Sequence, residues 1–144
     1  MFALVVPAGA FTSEQATRGA EIFRLQCARC HGPDGQGKDG AWRGLRAPEL
    51  VGPQALPVDP RPYQQIRRRP FRSARDVYDF ASAAMPADQP ASLDARDYFA
   101  VLAYVLATNG AAADARALDD TSSRDVALRR GPRGGGATAG AGAP

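Results

Sequence analysis

The chain has 144 residues, a net charge of +3 and a scarcity of reactive side chains: one His, two Cys and two Met. That length suits one domain, and a content of 44% hydrophobic and 23% charged residues is ordinary for a globular protein. The counts exclude a zinc site of four cysteines or of two cysteines and two histidines. They exclude a disulfide framework, and they force any catalytic triad to use His31. Metal or redox chemistry must therefore pass through Cys27, Cys30 and His31. Of the 18 basic residues only Lys38 is a lysine, which reads as compositional bias in a chain also rich in Ala, Gly and Pro. No basic stripe with interleaved aromatics suggests nucleic acid as a partner. No apolar stretch reaches the roughly 18 residues needed to span a bilayer, so a soluble protein without a transmembrane segment is expected.

Residues 1–10 are apolar and end in Ala8-Gly9-Ala10, similar to the small-x-small cleavage site of a secretory signal. They read either as the remnant of such a signal or as a disordered N-terminus. Thr12 then offers an N-cap with Gln15 as capping-box partner. Ala16, Ala20, Phe23 and Cys27 share one helical face up to the end of this first helix near Gln26. Gly32, Pro33, Gly35, Gly37 and Gly40 open a long loop to about Pro57. A short helix is predicted over residues 63–69, stopped by Pro70. Ser73 and Asp76 form another capping box, and Val77, Phe80 and Ala81 line a face of the helix that ends at Met85-Pro86. Asp94 and Asp97 cap the last strong helix, which is apolar on every side from Tyr98 to Leu106 and stops at Asn109-Gly110.

Beyond residue 110 the chain is polar and Ala-rich, with a short helix starting at Ser122 or Ser123 and reaching Leu128. Residues 131–144 are a Gly/Ala/Pro tail expected to be disordered. No strand is predicted. The folded unit is placed at residues 11–110, with residues 111–130 as an extension. Loops so long in so small a helical unit suggest a bound group propping the interior.

Cys27-Ala28-Arg29-Cys30-His31 supplies that group's attachment. Two thiols one turn apart can bond to the two vinyl groups on one edge of a haem, bringing the adjacent His under the iron. A thioredoxin-type redox pair, a structural disulfide and a partial zinc site compete with this reading. However, a thioredoxin motif opens a helix, where the dipole lowers the thiol pKa, whereas this one closes a helix. The zinc reading lacks ligands. A low-spin haem needs a second axial group, and with no second His the interior thioether of Met85 is the candidate. Its competing role is a Met that simply fills core space.

With these residues the chain resembles a class I c-type cytochrome over about residues 12–110. Gly19, Phe23 and Cys27 match the family's first helix, and Tyr104 is similar to the aromatic of its last helix. The resemblance implies that Pro48 offers its carbonyl to the proximal His N–H and that Met85 is the sixth ligand. It also implies that Trp42, Arg43, Arg46 and Tyr63 are candidate donors to the haem propionates.

Met85 through Asp94, followed by Tyr98 to Gly110, resembles bacterial cytochromes that accompany periplasmic dehydrogenases, including quinoprotein alcohol and sugar dehydrogenases. The typical pattern has Gly where Ala91 stands. Arg61, Arg67, Arg68, Arg69, Arg72 and Arg75 form a local basic cluster that reads either as a solvated helix face or as a steering surface for an acidic partner.

The expectation is an all-α cytochrome c fold of three to five helices wrapped around one covalent haem c. Its implied function is that of a periplasmic one-electron carrier rather than an enzyme. It would serve as a shuttle or as a subunit, with a dehydrogenase, an oxidase or a membrane electron-transfer complex as partner. The rival readings are a haem-based sensor in which Met85 is displaced, and a peroxidase, for which no distal His exists.

Overall fold

Helix α1 (Ser13–Gln26) starts where Thr12 Oγ1 accepts the Gln15 N–H at 3.1 Å. The computed structural model describes residues 2–5, 9–56 and 71–132. Among the described residues, α1 is followed by the single-turn α2 (Ala28–His31), then α3 (Ala74–Ala84) and α4 (Ala95–Thr108). Ser73 and Asp76 make the expected reciprocal capping box at the start of α3, and Met85 closes that helix in an extended conformation. Asp94 caps α4 by accepting the Asp97 N–H at 2.9 Å. The capping box expected of Gln15 is only half made. Its side chain instead donates to the Leu118 carbonyl at 2.7 Å and accepts the Leu118 N–H at 2.8 Å.

The central contact is the crossing of α1 and α4. A Cβ on Gly19 would stand 1.8 Å from the Ala100 carbonyl oxygen and 2.9 Å from Tyr104 Cβ. Only a residue with no side chain lets the two backbones come so close. One turn further along α1, Phe23 meets Tyr104 with ring centroids 5.2 Å apart. The all-round apolar sequence of α4 has the expected outcome: seven of its residues are buried, from Tyr98 to Leu106.

The helical core is as expected, but the protein is not wholly α. Among the described residues, four short strands form two antiparallel pairs: β1 (Phe2–Val5) with β4 (Arg129–Pro132), and β2 (Lys38–Trp42) with β3 (Leu45–Ala47). The β2–β3 turn is Arg43-Gly44, with φ of 49° and 77°, the double left-handed geometry of a two-residue hairpin. Both ends of the expected domain also shift. Phe2–Val5 is a strand where a signal remnant or disorder was expected, and Gly131 and Pro132, expected to open the tail, are paired in β4. The pairing that orders β1 and β4 joins opposite ends of the chain, so no local pattern could announce it.

The extension beyond Asn109 is part of the core. Leu118, Val126 and Leu128 are buried, and backbone bonds tie Asp114 to Phe11, Val126 to Ala74 and Leu128 to Arg72. The helix predicted to reach Leu128 is shortened to a 3-10 turn over Ser122–Arg124. Ala127 then bridges to Ser73, and the alternating Val126 and Leu128 point inward as in an extended segment. The helix predicted at residues 63–69 lies outside the described residues.

Replacing Gly19 by Ala is expected to destabilise the protein by about 3 kcal/mol, because α1 and α4 must separate to admit the methyl group. Urea unfolding of the holoprotein, compared with the exposed control Thr17→Ala, measures the difference.

Candidate functional site

The helices enclose a cavity of about 290 Å³ on the side of α4 facing α3. Cys27 lines it from the end of α1, Cys30 and His31 from α2, Pro48 from the following loop, and Met85 from the end of α3. The face of α3 singled out by its periodicity, with Val77, Phe80 and Ala81, forms part of the wall. Leu102 and Val105 of α4 complete its apolar lining.

His31 is 9% exposed, and its Nδ1 lies 3.0 Å from the Pro48 carbonyl oxygen, to which the N–H donates. Burial pushes its pKa below the usual imidazole value, only partly opposed by that hydrogen bond, so the ring is held neutral. Because Nδ1 carries the proton, Nε2 keeps its lone pair, and among the described residues it has no protein partner. A neutral, oriented imidazole on an apolar cavity is the form a metal requires.

The two thiols are free, with no bond between them. Burial, reinforced by Cys30, pushes the Cys27 thiol up to about 11. This is opposite in sign to the lowered pKa on which a thioredoxin-type pair depends. With one His and no cluster of three potential ligands among the described residues, nothing here builds a zinc site.

Loops reach the site through ties that the sequence did not reveal. Asn109, expected only as a helix stop, donates from Nδ2 to the Leu50 carbonyl at 2.8 Å and accepts the Gly52 N–H at 3.2 Å. It thereby fixes the segment just after Pro48 to the end of α4. Tyr98 donates its hydroxyl to the Met85 carbonyl at 2.7 Å. Arg29, inside the Cys motif, forms an ion pair with Asp88, three residues beyond Met85.

Of the expected propionate donors, Trp42 and Arg46 line the cavity, and Arg46 also pairs with Asp39 at 2.8 Å. Arg43 turns instead over the Trp42 ring, 5.1 Å from its centroid. Tyr63 lies outside the described residues, as do Arg61, Arg67, Arg68 and Arg69. Arg75, of the same basic cluster, is engaged by Asp79 and Asp120.

Two thiols on one wall, a pre-oriented imidazole, a thioether and an apolar interior fit a covalently held haem, and this fold and donor set define a c-type cytochrome domain. The chain belongs to the family described as cytochrome c oxidase, cbb3-type, subunit III, whose model matches residues 14–105. Its cofactor is haem c, and it is an electron-transfer haem protein. A solved structure, that of the sulfane dehydrogenase SoxCD from Paracoccus pantotrophus, resembles it at 27% identity with a TM-score of 0.56. That match covers 87% of this chain and 55% of the SoxCD chain, so the present chain spans about half the length of that relative. No curated protein matches significantly. Among the described residues no helix is long and apolar enough to cross a membrane.

Ala91, which departs from the Gly of the family pattern, has φ of 59°, in the left-handed region. An L side chain there costs roughly 1–2 kcal/mol, which a glycine would not. Ala91→Gly is therefore expected to stabilise the protein by about 0.5–1 kcal/mol after the entropy of the added glycine is subtracted. Denaturant titration of the holoprotein checks this.

Proposed function

We propose that the chain is a periplasmic one-electron carrier whose haem is bonded to Cys27 and Cys30 and ligated axially by His31 and Met85. The observation that carries the reading is the buried His31 with Nδ1 committed to the Pro48 carbonyl, on a cavity that Met85 also lines. When bound, the haem supplies one iron that alternates between ferric and ferrous states. The protein's residues keep that exchange simple. Pro48 fixes the tautomer and rotation of His31 and raises its basicity as a donor. Met85 contributes a soft, weak donor that favours the ferrous state. Val77, Leu102 and Val105 exclude water, which reinforces the same preference. Trp42 and Arg46 are the residues we assign to the propionates.

With His31 and Met85 both ligating, the iron would have no position left for a substrate, and the protein would serve an enzyme rather than be one. The partner we propose is a dehydrogenase, in line with the likeness to a sulfane dehydrogenase chain, or an oxidase, in line with the family description. Periplasmic location is supported by the chemistry of c-type haem attachment, which in bacteria takes place outside the cytoplasm. Displacement of Met85 in a sensor finds less support, since the Met85 backbone is hydrogen-bonded to the interior of the domain.

The ferric holoprotein is expected to show the weak far-red thioether-to-iron band, and its ferrous form is expected to be inert to CO. Met85→Ala should abolish the band and admit CO. It should also lower the midpoint potential by on the order of 0.1 V, a fraction of the roughly 0.8 V that axial ligands command. An unchanged spectrum and potential would show that Met85 is not the ligand.

A further inference from the structure

Tyr98 sits in the first turn of α4 and is 6% exposed, yet its hydroxyl is fully used. It donates to the Met85 carbonyl at 2.7 Å and accepts the Leu93 N–H at 3.3 Å. One buried oxygen therefore joins the first and last residues of the loop over residues 85–93. The ring is itself immobilised: it packs edge-on against Tyr78 at 6.4 Å, and Tyr78 stacks on Phe99 at 4.0 Å with the planes 5° apart. Inside the loop, Ala91 holds a left-handed conformation that disfavours it. The loop that carries Met85 is thus strained within, closed from the core side by the Tyr98 hydroxyl and tied on its exposed side by the Arg29–Asp88 ion pair.

We propose that Tyr98 is a positioning residue for the sixth ligand: its hydroxyl holds the 85–93 loop closed against the strain at Ala91. In doing so it sets how readily an external ligand displaces Met85. This rests on the reading that Met85 ligates the iron. The argument is one of free energy. Loss of the hydroxyl leaves the Met85 carbonyl and the Leu93 N–H without their partner in the closed loop, whereas in the open loop water can satisfy both. The loss therefore favours opening. The strain at Ala91 acts in the same direction, so relieving it should offset part of the loss.

The test is imidazole titration of the ferric holoprotein, read together with the far-red thioether band. Tyr98→Phe is expected to weaken the band and to raise imidazole affinity about tenfold, the equivalent of one buried hydrogen bond. Tyr104→Phe, which removes a hydroxyl with no hydrogen-bond partner among the described residues, should leave both readings unchanged. Adding Ala91→Gly to Tyr98→Phe should recover part of the lost discrimination. A Tyr98→Phe protein with an unaltered band and imidazole affinity within about twofold of wild type overturns the proposal while leaving Met85 ligation standing.

A wild-type protein without the band overturns both. Should the variant not fold, hydrogen exchange on the wild type decides the matter. The Leu93 amide should be protected, and saturation with imidazole should speed its exchange at least about tenfold; unchanged exchange overturns the proposal.

Discussion

The approach of α1 to α4 at Gly19 is the constraint on which the rest of the structure depends. At that point the two helices touch backbone to backbone, and the place where the Gly19 Cβ would be is filled by the Ala100 carbonyl. The crossing fixes the end of α1, and with it Cys27, relative to the wall of α4 that supplies Leu102 and Val105. Phe23 against Tyr104 sets the rotation of one helix about the other. The Arg18–Asp97 ion pair at 2.7 Å joins the same two helices, with Arg18 exposed and Asp97 half-buried. The position of both thiols is thus decided by packing made a full turn or more away from them.

Around that frame, the segments that line the cavity are held through backbone carbonyls. The Pro48 carbonyl receives His31, the Leu50 carbonyl receives Asn109, and the Met85 carbonyl receives Tyr98. Such bonds orient the loops without adding charge to the cavity, whose lining is mainly apolar. A low-dielectric interior disfavours the more highly charged oxidation state of an enclosed metal. The ion pairs each have an exposed partner: Arg29 with Asp88 and Arg46 with Asp39, of which Asp88 and Arg46 also line the cavity, and Arg75 with Asp79 and Asp120.

What could be read from the sequence was whatever depends on short-range pattern or on scarcity. The caps at Thr12, Ser73 and Asp94, the buried run of α4 and the cavity face of α3 follow from helical spacing, and the structure contains each of them. The residues proposed to hold the haem stood out because the chain has so few soft ligands. What escaped was non-local. Gln15 has the spacing of a capping-box partner, but a backbone a hundred residues away offers it two bonds instead of one. Asn109 and Tyr98 look like a helix stop and a core aromatic, and their second roles exist only once loops arrive beside them. The β2–β3 hairpin turns on Arg43-Gly44 rather than the customary Asn-Gly, and its strands carry Gly and Arg in place of alternating apolar residues.

The wrapping of the C-terminal extension bears on where the protein can be cut. From Ala111 the chain runs past the start of α1, where it bonds to Phe11 and Gln15, and on to the start of α3, where it bonds to Arg72 and Ala74. Its last described residues form β4 against β1. Phe11 and Phe71 are among the core residues at the two places this strap covers. A fragment trimmed to the conserved-family span of residues 14–105 would omit Phe11 and the last turn of α4, together with Asn109 and the whole strap. The smallest piece that keeps every layer of this core intact runs from β1 through β4, and recombinant boundaries, fusions and domain transplants are best set outside it.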